Sequence, residues 1–476
     1  MELPRYPVRR MIKVACPFQF IRGFPMEYRS RNVLLATFVA IAPVSSHART
    51  WNVMPDASGD APTIQAAMDS AASGDLVLLA PGTYTWTSQN ASGTSMVRIA
   101  RDVVLRGTSG AAASVLDAEQ QGRVILVTSG VTAELEGLTL ARGRVMDYPA
   151  FGGGIRAEAG SELRIAHCII RDNIALLDEG VGGGMACDKA TITDCEISNN
   201  FSTDGAGVWG ASITLSNCSL RGNVAGGHST GSGAGVWAKT GTLTDCWFED
   251  NRAGPRSHNS GGGVLFKEDG SIARCAFVNN SAVAHDTALG GAVVCEAACT
   301  IDASIFVGNA VDAASGVGGT IAGYGGVVTV TGCTLVGNRC RSPGDFRPPI
   351  GGIAIAQGSV SRCIIVGSEG LAVGRSLGGC EGGPVVSLCD LFGNSGGDGF
   401  CGVDRGDNFS ADAEFCAVDP AASLLFTLQT DSPCATRFAP LVIGAGPVGC
   451  GSVSVQQRSW SAVKSLYRGT HRRVEP

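Results

Sequence analysis

Cys195-Glu196-Ile197-Ser198-Asn199-Asn200 is one copy of a phrase that this chain repeats. It recurs as Cys168-Ile169-Ile170-Arg171-Asp172-Asn173, Cys218-Ser219-Leu220-Arg221-Gly222-Asn223, Cys246-Trp247-Phe248-Glu249-Asp250-Asn251 and Cys275-Ala276-Phe277-Val278-Asn279-Asn280. Residues 304–309 keep the frame with serine for cysteine. Copies at 333–338, 363–368 and 389–394 follow, and 138–143 is an earlier, degenerate one. From Cys168 onward the first positions are separated by 27, 23, 28, 29, 29, 29, 30 and 26 residues. A fixed period of this size marks a repeat architecture, in which each unit buries its apolar face only by stacking on its neighbours.

A second phrase keeps the same beat, a glycine cluster followed by an apolar residue. Gly152-Gly153-Gly154-Ile155, Gly205-Ala206-Gly207-Val208 and Gly261-Gly262-Gly263-Val264 are examples. Between the phrases lie short alternating runs such as Ser212-Ile213-Thr214-Leu215, too short and of the wrong period for helices. Short strands and tight turns in coils of roughly 30 residues predict an all-β parallel β-helix, with equivalent strands stacked about 4.8 Å apart. On that reading the cysteine and the residue two places later point inward. The asparagine forms a ladder at a turn, and the glycines serve where a coil bends.

A solenoid needs capped ends. Residues 62–72 carry the one clear helix signal, with Ile64, Ala67, Met68 and Ala71 on a single apolar face and Gly74 to stop it. We read it as a short N-terminal capping helix at about 62–73. Thr63-Ile64-Gln65-Ala66-Ala67, Gly74-Asp75 and Leu79-Ala80-Pro81-Gly82-Thr83-Tyr84 resemble the opening of right-handed parallel β-helix repeat proteins of the pectin-lyase-like superfamily. The resemblance runs from about Trp51 to Cys450. It implies a right-handed solenoid, but no single activity, since such a fold hosts lyases, hydrolases, epimerases and adhesins alike.

The ends carry other signals. Arg29 and Arg31 precede an apolar run over 33–42, and Ser46-His47-Ala48 fits a small-x-small cleavage site, so residues 1–48 read as a signal-peptide region with Met26 as its start. That run is too short to span a bilayer, and no later stretch is long enough. Removing 1–48 takes away seven of the 36 basic and two of the 42 acidic residues, leaving 29 against 40. Such a body repels polyanions, which excludes nucleic acid as an expected partner. Export makes disulfides available to the 18 cysteines. Most of the ladder cysteines are expected as free thiols. Cys380, Cys401, Cys416, Cys434 and Cys450 are expected as staples of a C-terminal cap over about 396–450, and Cys295 with Cys299 as a small local loop. Residues 451–476 form a basic tail.

The chemistry is less explicit. Lyases of the superfamily need calcium-binding aspartates and an arginine base. Its hydrolases need clustered aspartates with Gly-His-Gly, and this chain has neither that tripeptide nor an Asp-Asp pair. Asp172, Asp194, Asp245 and Asp250 lie beside the ladder as solvated turn acids. Variable loops between the asparagine and the glycine cluster should emerge along one side. His228, His258 and His285 fall in three consecutive such loops, with Asp286 adjacent; this set would suit a divalent metal such as Zn²⁺. Trp209 and Trp237 share a register and could form a stacking platform, while Arg252 and Arg256 could contact a glycan or protein. Two classes of function stay open: a secreted or cell-surface protein presenting loops to polysaccharide or protein without catalysis, and a carbohydrate-active enzyme, either a polysaccharide lyase or a glycoside hydrolase.

Overall fold

The computed structural model describes residues 48–450, apart from 177–178, 228–229, 345–348, 377–381 and 417–425. The signal-peptide region and the basic tail lie outside the described residues. Among those described, the strands form three parallel sheets of 20, 12 and 10 strands, here called A, B and C, plus one two-stranded pair. Each coil runs from A through B to C, and sheet B contributes one short strand per coil, so its twelve strands count the coils. No described helix is long and apolar enough to cross a membrane.

The register explains why the repeat works. In sheet B the residue two places after each ladder cysteine stacks on its equivalent: Leu140, Ile170, Ile197, Leu220, Phe248, Phe277, Phe306, Leu335, Ile365 and Leu391 form one inward column. All are buried. Where three phenylalanines follow one another, the rings of Phe248, Phe277 and Phe306 lie nearly parallel, with centroids 4.6 and 4.9 Å apart. Strand spacing sets that stack, so one coil's choice of side chain is constrained by the next.

The corner between sheets B and C is built by the asparagine ladder. Each asparagine Oδ1 accepts from the backbone N–H and the Nδ2 of the preceding asparagine, at 2.9–3.2 Å from Asn200 to Asn338. Each Nδ2 also donates to a carbonyl of the coil before, as Asn251 does to Leu220. The preceding residue (Asp172, Asn199, Gly222, Asp250, Asn279) has φ of 53–60°, the left-handed region that Asp, Asn and Gly tolerate best.

The cysteine column closes the corner between sheets A and B. Each Sγ lies 3.1–3.3 Å from the carbonyl two residues back, as at Cys168, Cys195, Cys218, Cys246 and Cys275. Ser304 donates its hydroxyl to Asp302 O at 2.8 Å in the same way, which accounts for serine in that frame. The column is a row of free, buried thiols. At the third corner the first glycine of each cluster turns the chain; Gly261 has φ +64°. Its neighbour Gly262 is required for space, because a Cβ there would meet Gly291 O at 2.3 Å and both backbone polar atoms of Ser281 at 2.5 Å.

Two expectations need correction. The segments between the asparagine and the glycine cluster are not all irregular loops, since Arg252–Ser260 and Ser281–Leu289 are nine-residue strands of sheet C. Two successive coils of similar length let their backbones pair instead of splaying apart. The cysteine assignments also change: Cys295, Cys299 and Cys434 are free and buried, while Cys401 and Cys416 are disulfide-bonded. The Cys434 thiol donates to Asp390, meeting its Oδ2 at 3.2 Å.

Both ends are covered. Helix α1 (Ile64–Ser70) is N-capped by the Thr63 side chain and buries Ile64, Ala67 and Met68. Asp75 accepts from the Arg49 and Ala72 amides and the Trp51 indole, and the Tyr84 hydroxyl donates to Val53 O and Ala80 O; these bonds are the work of the opening phrases. At the other end, the segment containing α2 (Pro433–Thr436) folds onto the outer face of sheet B. It buries Ile364, Val366, Leu428, Cys434 and Ile443 together.

Candidate functional site: a groove between sheets A and B

The residue before each ladder cysteine turns the chain from sheet A into sheet B. This row runs His167, Asp194, Asn217, Asp245 and Arg274, every one at φ of 52–55°. Asp and Asn accept that conformation readily, His and Arg much less so, and such strain persists only where the surrounding structure enforces it. In the adjacent outward column of sheet B, Glu196, Ser219, Trp247 and Ala276 stack in register. Together the two columns line a groove of about 670 Å³ that runs along the solenoid.

Inside it the polar groups are linked in pairs. His167 Nδ1 lies 3.8 Å from Asp194 Oδ2, and Asn217 Nδ2 donates to Asp194 Oδ1. Arg274 donates to both oxygens of Asp245, at 2.8 and 2.9 Å; this pairing holds the Asp245 carboxyl below its ordinary range. Glu196 is exposed, and its Oε1 accepts from Ser198 at 2.9 Å. Trp247 is half-buried. Its indole N–H donates to Glu249 at 3.2 Å, and its ring packs against the cluster of Val307, Val336 and Phe426. An anchored indole beside acceptors repeated about every 4.8 Å along the stack is an arrangement for binding an extended polar ligand.

The sequence-derived candidates lie elsewhere. Trp209 and Trp237 pair in register on sheet A, with ring centroids 5.1 Å apart and planes 13° from parallel. Phe151 stacks on Trp209 at 6.2 Å, and the Arg156 guanidinium lies 5.4 Å from the Phe151 ring. The ring faces are therefore turned to one another, and Trp237 packs with Leu265, Val294 and Ala322. Arg252 is exposed on sheet C, a different sheet from the tryptophans. The backbone of Arg256 pairs with Ala284.

His258, His285 and Asp286 are all exposed on sheet C. The rung neighbours of His258 are Thr230 and Thr287, which sets His285 one coil and two residues away. His228 lies outside the described residues. Among those described, no group of three or more His, Cys, Asp or Glu side chains is placed to hold a metal ion.

The groove residues could have been found from sequence by tabulating the position before each ladder cysteine, where chemically active side chains keep replacing glycine. Taken one coil at a time, Asp194 and Asp245 are turn acids, and only the stacking of the coils connects them with His167, Asn217 and Arg274.

Buried carboxylates occur elsewhere. Burial raises the Asp390 carboxyl to about 6, but it lies on the last coil beneath the C-terminal cap. Burial also raises that of Asp204, which receives a hydrogen bond from Ser232.

Among curated proteins no match to the chain was found. Among solved structures, the crystal structure of pectate lyase Pel9A aligns over 85% of this chain and 97% of that one, at 15% identity and a TM-score of 0.40. The family described as right handed beta helix region matches residues 109–269 and 179–369, which together span more than half of the sequence. With the stacked coils and their ladders, that match establishes that the chain belongs to the right-handed β-helix family.

Proposed function

We propose that this protein is an exported β-helix that binds glycans, without turning them over, in the groove between sheets A and B. The observation that carries the reading is Trp247, an anchored and partly exposed indole set among Asp194, Glu196, Asn217 and Ser219 in a groove of about 670 Å³. Sugars are bound by apolar rings that cover their C–H faces and by polar side chains that exchange hydrogen bonds with their hydroxyls. The disulfide bonds of Cys401 and Cys416 support an oxidising compartment. Binding without catalysis is supported by the Arg274 fork, which is closed on both oxygens of Asp245 and keeps that carboxylate occupied in an ion pair.

The test is a glycan-array screen of the purified protein, with the same glycans assayed for new reducing or unsaturated ends. We expect binding that Trp247→Ala weakens at least tenfold and that Trp209→Ala leaves intact. Product from any glycan would make the protein an enzyme, and binding insensitive to Trp247→Ala would move the site out of the groove.

A further inference from the structure

The hydrogen-bond inventory of the groove is one-sided. Asp194, Glu196 and Asp245 bring three carboxylates, each with lone pairs for about four hydrogen bonds. The donors beside them are largely committed. His167 Nδ1 faces Asp194 Oδ2 at 3.8 Å, Asn217 donates to Asp194, and the Arg274 fork is closed on Asp245, which leaves Glu196 and part of Asp194 open. On the neighbouring strand Arg221 is held by Ser219 at 2.6 Å and by Glu249 at 3.5 Å. A ligand entering here meets acceptors in excess and negative charge, on a body that carries 29 basic against 40 acidic residues after position 48.

A polyuronate would bring more acceptors and more negative charge, and a neutral glycan would leave the excess acceptors to water. A sugar bearing an ammonium group supplies three donors and the opposite charge.

We infer that the groove selects cationic amino-sugar polymers, laid along the solenoid axis with their ammonium groups toward Asp194 and Glu196. This inference rests on the reading of the groove as a glycan site. Asp194 and Asp245 stand in one column two coils apart, with Glu196 in the column beside them. Of these, Asp194 and Glu196 are the carboxylates left to meet an ammonium group, since the Arg274 fork occupies Asp245. Because these groups are partly exposed, selectivity per carboxylate is modest, about three- to fivefold, and it is screened by salt.

The experiment is titration calorimetry at mildly acidic pH with three probes: a glucosamine hexamer, its fully N-acetylated counterpart and a galacturonate hexamer. We expect the glucosamine hexamer to bind about tenfold more tightly than the acetylated one and the galacturonate hexamer to bind least. Glu196→Gln and Asp194→Asn should each reduce that preference about three- to fivefold. Raising the salt to 0.5 M should erase most of the preference. If the galacturonate hexamer binds as tightly as the glucosamine one, with Trp247→Ala abolishing both, the charge inference is overturned and the glycan site stands. If the acid variants leave the preference unaltered, the inference is likewise overturned. If none of the hexamers binds, the glycan reading falls, and the inference with it.

Discussion

Replacing Asn251 by alanine puts a number on the ladder. Its Oδ1 accepts from the Asn223 amide at 3.2 Å and from Asn223 Nδ2 at 2.9 Å, while its own Nδ2 donates to Leu220 O and to Asn280 Oδ1, both at 2.9 Å. The side chain is completely buried, so water cannot replace these partners without opening the corner. One donor, the Asn223 amide, loses its acceptor outright, which costs about 1–3 kcal/mol. Three further bonds vanish, each worth about 1 kcal/mol net, and part of that is recovered because Asn223 Nδ2 keeps Ile197 O at 2.9 Å. The sum is about 3–5 kcal/mol, measured as a fall in urea midpoint at unchanged slope. Nature offers the reverse experiment at Ser368, where the ladder is interrupted and the buried hydroxyl has no partner among the described residues. Ser368→Asn should regain about 1 kcal/mol. A loss below about 1 kcal/mol at Asn251, with no gain at Ser368, would show that the backbone of the corner holds itself and that the ladder is ornament.

Four other outcomes follow from the same geometry. Phe277→Ala removes the middle ring of the stack and should cost about 3–5 kcal/mol in urea unfolding, because Phe248 and Phe306 are held in place by their own strands and cannot collapse into the gap. Cys275→Ser should cost no more than about 1.5 kcal/mol by the same assay, since Ser304 already makes the equivalent bond one coil later. Gly262→Ala should prevent native folding, seen as loss of soluble protein, because the new methyl would fall on the backbone of Ser281 and Gly291. Asp390→Asn should stabilise the cap at neutral pH by up to about 3 kcal/mol. The folded carboxyl titrates at about 6, above its ordinary 3.8. The wild-type cap is therefore most stable below 3.8 and loses stability as the pH rises through 6, a slope that thermal unfolding at several pH values should find in the wild type and not in the variant.

The architecture was legible in the sequence because it is written as columns. A cysteine, an apolar residue and an asparagine at fixed offsets can be aligned by eye, and each fills a position whose environment is set by the same residue one coil away. The strands of sheet C were harder to read. Arg252–Ser260 and Ser281–Leu289 show no apolar alternation. They are held by pairing with each other, a property of two coils and of neither segment alone. The free thiol of Cys434 was hidden for a similar reason. Clustering of cysteines near the end of the chain suggested staples, but this one meets a carboxylate on the last coil, and nothing local to residue 434 announces that.

The groove was missed for a more instructive reason. Both corners that flank sheet B need a residue in the left-handed region, and the two satisfy that need differently. Beside the asparagine ladder, Asp, Asn and Gly occupy the position, the residues that bear the conformation at least cost. Beside the cysteine column stand His167, Arg274, Arg362 and Leu388, at φ of 53–56°, where a glycine would be easier. Of these, His167 and Arg274 fall in the groove. Leu388 packs with the cluster under the C-terminal cap, and Arg362 offers its carbonyl to the amide of Gly444 in the capping segment. A solenoid allows such a division, because each coil fixes its own turn and the side chain there is free to vary without disturbing the interior columns. The same freedom makes the groove adjustable one coil at a time. Exchanging Asp194, Asn217 or Asp245 should therefore alter what the protein holds while leaving its urea midpoint nearly unchanged, whereas exchanging Cys195 or Asn223, one and six residues from two of those positions, should do the opposite.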